Sequence, residues 1–136
     1  MRLGRDDGAA AVEFALVLPL LILILGGAIE MGYLITVRAQ IGEAVEEGVL
    51  VAAQDPDQAS MVPGIVSDGV SILQDPPLPE DEVSVRCDDP DDPDVVTVSV
   101  VHEHDWVSPF LFSASITLDV EATSDVLSDQ PCVEAP

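Results

Sequence analysis

From Phe14 to Thr36 the chain runs for 23 residues with one charge, Glu30. In a helix, at about 1.5 Å per residue, this stretch spans roughly 34 Å, enough for a hydrocarbon core of about 30 Å. A single segment in lipid must satisfy its own backbone hydrogen bonds, so the run predicts one membrane-spanning α-helix. The chain has 136 residues, which leaves room for one small domain beside that anchor. The flanks decide whether the segment is retained. Gly26-Gly27-Ala28 offers small residues for signal cleavage ahead of Ile29. Against that, the apolar run continues nine residues past Ala28, to Val37, and a carboxylate, Glu13, stands at its start. That charge is foreign to a plain signal core, and retention is expected.

Inside the segment, Pro19 removes one backbone hydrogen bond and should bend the helix near its N-terminal end. Gly26, Gly27, Ala28 and Gly32 form a small-residue face, with Ala28 and Gly32 at the spacing that lets two helices approach closely. Glu30 lies beside that face. It either faces protein in an assembly or sits near the outer interface and reaches water there.

The helix is expected to continue past the membrane. Ile41, Ala44, Val45, Gly48, Val49 and Ala52 recur at helical spacing, with Gln40, Glu43, Glu46 and Glu47 on the other side, and no proline intervenes before Pro56. One helix from Ala9 to Ala53 would be roughly 68 Å long. Its exterior half carries an apolar stripe that the chain's own domain or neighbouring copies must cover. Met61 to Leu73 holds the pattern of a short helix, and Asp75-Pro76-Pro77-Leu78-Pro79 breaks the chain. Three runs then alternate with period two: Val83 and Val85 toward Cys87; Val96, Val98 and Val100; and Ile116, Leu118 and Val120. They predict a small antiparallel sheet with one buried face, whose natural cover is the helix stripe.

Charge limits the partners. The formal net charge is −22, from 26 acids against four arginines and no lysine. Phosphate neutralisation needs clustered bases, so nucleic acid is excluded as a partner. Arg2 and Arg5 precede the apolar run and Arg38 follows it, which points the N-terminus to the cytoplasm by the positive-inside bias. From Ala39 onward there are 22 acids and one arginine, Arg86, so the exterior part carries nearly all the charge. Cys87 and Cys132 both fall there. An even pair in an exported domain reads as a disulfide, unless the compartment keeps the thiols reduced. Closing such a loop contributes about 3–4 kcal/mol in the chain-entropy model.

Few residues point to chemistry. The acidic run from Asp88 to Asp94 supplies oxygen ligands but lacks the glycine and terminal glutamate of a helix-loop-helix calcium site, and its two prolines suit a turn between strands. His102 and His104 share one strand face, but two imidazoles hold zinc only with further ligands that the sequence does not place. Trp106, Pro109, Phe110 and Phe112 form an aromatic cluster that suits a core corner or a subunit contact. There is no nucleophile elbow, phosphate loop, HExxH or CxxC pair. The expectation is a chain that is not an enzyme and carries neither metal nor cofactor.

A short polar leader ending in Gly8 is followed by Ala9-Ala10-Ala11-Val12-Glu13-Phe14, then the proline-bearing apolar run, with Gly32 close behind Glu30. Together these features resemble the TadE-type pseudopilins of the tight-adherence (Flp) pilus system, a branch of the type IV filament superfamily. The match covers roughly Gly8 to Ala53. The resemblance implies cutting between Gly8 and Ala9 by a prepilin peptidase on the cytoplasmic side, and Asp6 and Asp7 make this leader less basic than is usual for the family. Cleavage would create an α-amino group at Ala9, with Glu13 four residues along on the same helix face to neutralise it. The resemblance further implies assembly contacts with other pilins or pseudopilins through the N-terminal helix, where Glu13, Phe14, Ala28, Glu30 and Gly32 stand.

The expected fold is therefore α+β and pilin-like. It comprises a leader at 1–8, a membrane helix at 9–37, its exterior extension at 38–54, and a small acidic domain at 55–136 with strands near 82–87, 95–104 and 114–122. The expected function is that of a minor pseudopilin or assembly component of a Tad pilus or related secretion machine. Such a chain would sit as a single pass in the bacterial cytoplasmic membrane with its domain exterior or periplasmic, the filament itself being a further location. The nearest alternative is an unprocessed single-pass anchor that displays an acidic adhesive or ligand-binding domain, and a more distant one is a calcium-dependent surface module using Asp88 to Asp94.

Overall fold

The computed structural model describes residues 5–71, 77–89, 92–105 and 115–127. One helix, α1 (Arg5–Gln54), takes up 50 residues and runs through Pro19 without a break. At the standard rise it is about 75 Å long. A 3-10 turn (Pro56–Met61) leads into a short helix, α2 (Val62–Gly69). A second 3-10 turn (Glu80–Glu82) precedes three strands: β1 (Val83–Asp89), β2 (Asp92–Asp105) and β3 (Ser115–Asp125). The fold is α+β, a long apolar helix followed by a three-stranded antiparallel sheet in the order β1-β2-β3.

The strands form where alternation of valine with polar residues suits a half-buried pleat. In register, Val83 pairs with Val100, Val85 with Val98 and Cys87 with Val96. On the other side of β2, Val98 pairs with Ala122, Val100 with Val120 and His102 with Leu118. One face of β2 therefore reads Val96, Val98, Val100, His102 and His104. The valines on that face are buried, and the core continues across into Val37, Ile41, Ala44, Val45, Val49, Ala52 and Ala53 of α1. The helix stripe is covered by the chain's own sheet and by α2. Outward, Thr117, Asp119, Glu121 and Thr123 of β3 are exposed, which blunts that edge with like charges.

Two features hold α2 in place. Gly48 of α1 lets Val62 and Val66 come close, and Gly69 lies against Ala44. The Ser67 hydroxyl donates to the Leu78 carbonyl at 2.6 Å, which ties α2 to the segment leading into β1. At the far end, the Leu127 N–H donates to the Ala53 carbonyl at 2.9 Å, so the exit of β3 lies beside the last turn of α1. The sheet thus runs back along the helix, with the end of β2 nearest the membrane segment.

Some expected features lie outside the described residues: the leader at 1–4, residues 72–76, positions 90 and 91 of the acidic turn, the aromatic cluster at 106–112, and Cys132. Cys87 is buried on β1, and among the described residues no cysteine is free.

Candidate functional site

The candidate site is the N-terminal part of α1. Gly8, Ala9, Glu13 and Phe14 all lie within the helix and are exposed. Ala9 and Glu13 are one turn apart, so they occupy one face. A side chain added at Gly8 would meet nothing within 4 Å. From Gly8 to Ile29 no residue is buried, and apart from Glu13 the surface is apolar, with Leu16, Ile22, Ile24 and Leu25 exposed. Such a helix is long and apolar enough to cross a membrane.

The change comes at the next residue. Ile29 is 65% exposed, whereas Glu30 is 4% exposed. Beyond it Tyr33 and Leu34 are half-buried against the core, and Val37 and Ile41 are fully buried. The carboxylate expected to face a neighbouring helix or the interface is instead buried within its own chain, where it has an interaction partner. Ala28, Gly32, Thr36 and Ala39 remain exposed. Gly32 has open space above it, and the Thr36 hydroxyl donates to the Gly32 carbonyl at 2.9 Å. That bond satisfies the only hydroxyl on this face and leaves it smooth and effectively apolar.

A polar layer closes the core at this end. The Tyr33 and His104 rings have centroids 5.4 Å apart. His102 and His104 lie 6.5 Å apart, and His102 Nδ1 meets Glu82 Oε2 at 2.7 Å. His104 is buried, and its Nε2 has no hydrogen-bond partner. Among the described residues no group of three His, Cys, Asp or Glu side chains stands together to hold a metal. The histidines are thus the polar end of a core face. The signal was visible in the sequence, because His102 and His104 continue the Val96-Val98-Val100 alternation. Tyr33 and Glu82 carried no such signal. An orphaned buried acceptor or donor costs more than an apolar group of similar shape, so His104→Leu should leave stability unchanged or raise it by about 1 kcal/mol. Thermal unfolding of the full chain in detergent measures this.

Comparison with known proteins bears on the same stretch. The family model described as TadE-like protein matches residues 8–50, which covers the free apolar segment and most of the helix stripe under the sheet. No curated protein and no solved structure matches the chain. Over residues 8–50 the chain is similar to the TadE-like family, and the same stretch holds an N-terminal helix long and apolar enough to cross a membrane.

Proposed function

We propose that this chain is a processed pseudopilin: a minor or assembly component of a Tad pilus or related secretion machine, with a structural rather than catalytic role. The observation that carries the reading is the Gly8-to-Glu13 spacing at the start of α1, inside the family-matched segment. A prepilin peptidase cuts between Gly8 and Ala9, and the new amine at Ala9 finds Glu13 one turn away. The N-terminus faces the cytoplasm, since Arg2 and Arg5 outnumber Arg38. The acidic domain lies outside the cytoplasmic membrane, where Cys87 pairs with Cys132 in the oxidising compartment.

The membrane segment in this reading is residues 9–29, shorter than the run of hydropathy alone. At about 1.5 Å per residue it spans roughly 31 Å, which matches the bilayer core. Glu30 then belongs to the domain and not to the lipid. Other pilins pack against the exposed Ala28, Gly32 and Thr36 side of α1, which offers close approach without a polar group to desolvate. Intact-mass measurement and N-terminal sequencing after coexpression with a prepilin peptidase test the proposal. The expected mature chain begins at Ala9. A chain beginning at Met1, or at Ile29 after conventional signal cleavage, overturns it.

A further inference from the structure

The abrupt change from Ile29 to Glu30 has a counterpart at the other end of the same helix. No residue from Gly8 to Ile29 is buried, while from Glu30 onward α1 is packed into a folded, strongly acidic domain. That domain cannot follow the helix into lipid. Glu103 and Asp105 are exposed at the end of β2 beside Tyr33, and placing such charges in hydrocarbon is prohibitively costly. The domain is therefore a fixed stop at the outer surface. Counting back along an unbroken helix, the Gly8–Ala9 bond stands about 31 Å away, at the inner surface of a core about 30 Å thick.

The geometry points to a length gauge: the folded domain sets the depth of α1, and the free helix between Glu30 and Ala9 presents the scissile bond at the inner membrane surface. This rests on the processing reading above and adds a condition to it. Recognition then requires the right residues at Gly8 and the right number of residues between Gly8 and Glu30. Of the 21 residues between Gly8 and Glu30, nine are leucine or isoleucine and only Glu13 is charged, and their number is the quantity that must be kept. Pro19 lies within it and leaves the helix continuous.

Length changes have unequal effects. A helix that is too long tilts at modest cost, whereas one that is too short draws its polar end into the bilayer or strains the membrane. Deleting Leu20–Leu23 removes about 6 Å. In the full chain, coexpressed with a prepilin peptidase, that deletion should slow cleavage at Gly8 by about tenfold, the penalty expected of that much mismatch. Inserting four leucines after Leu25 should change the rate by no more than about twofold, because tilt absorbs the excess. Combining the two restores the length and should restore the rate.

A second measurement needs no peptidase. With Ala10→Cys, a membrane-impermeant maleimide applied from the cytoplasmic side should label the otherwise unaltered chain, miss the deletion variant and label the length-restored one. Wild-type chain that is labelled but never cut at Gly8 overturns the processing reading and leaves the gauge standing. Wild-type chain that is cut, with a deletion variant that is inserted, labelled and cut at the same rate, overturns the gauge alone.

Discussion

Glu13→Ala should insert into the membrane as well as the unaltered chain and yet assemble on the order of a hundredfold less efficiently. Insertion is spared because removing a carboxylate from the edge of an apolar segment only lowers the cost of entering lipid. Assembly suffers because the mature chain would carry an α-amino group at Ala9 with no carboxylate on its own helix face to neutralise it. When helices close around that end and exclude water, an ion pair stripped of one partner typically costs about 3–5 kcal/mol. Glu13→Asp retains the charge on a shorter stem and should fall between the two. Membrane fractionation measures the first half of the expectation, and quantified surface pili measure the second. Wild-type piliation by the alanine variant would show that the pairing is dispensable, and with it the principal role assigned to this residue.

The second large effect lies in the domain. A Cβ at position 48 would stand 2.8 Å from Val66 Cγ2 and 3.0 Å from Val62 Cγ1. Both valines are fully buried and branched, so neither can swing away as the end of a flexible chain would. Gly48→Leu must therefore push α2 off α1, at a cost of about 3 kcal/mol or more. In a domain this small that corresponds to a fall on the order of 12–20 °C in Tm. Gly42 provides the contrast. It sits in the same helix with nothing within 4 Å of its would-be Cβ. Gly42→Ala removes a helix-weakening glycine at no steric cost and should raise stability by up to about 1 kcal/mol. Thermal melts of the two variants in detergent, followed by near-UV circular dichroism, compare them directly. Similar melting temperatures would mean that α2 is not held by the close approach at Gly48.

The long helix, the sheet and their mutual packing were legible because each has a distinct period. Val96, Val98 and Val100 alternate as a pleat requires, and Ile41, Ala44, Val45 and Val49 recur as a helix stripe requires. The boundary between lipid and domain was not legible, for a physical reason. Leu34 and Val37 are apolar whether they face acyl chains or a valine-lined sheet, so hydropathy runs on unchanged past Ile29. Glu30 was the one residue that could have marked the change, and a lone carboxylate suits a helix contact, a snorkelling position or a domain foot equally well. The role of Gly48 was hidden similarly. In sequence it is one more small residue on the stripe, and only the approach of Val62 and Val66 shows why nothing larger fits. For the candidate site, Gly8 and Glu13 came from spacing and resemblance, and the structure adds their placement on one continuous helix.

Anchor and core share the unbroken α1, so the domain has no swivel. A helix turns about 100° per residue, and a sheet clamped to one end of it must turn with the other. The exposed side at Ala28 and Gly32 therefore dictates more than which helix a neighbouring pilin meets. It also fixes the compass direction in which the acidic sheet points around the assembly. A single residue added after Ala28 would turn Ala28 and the membrane helix below it against the acidic sheet by more than a quarter turn, about 100°.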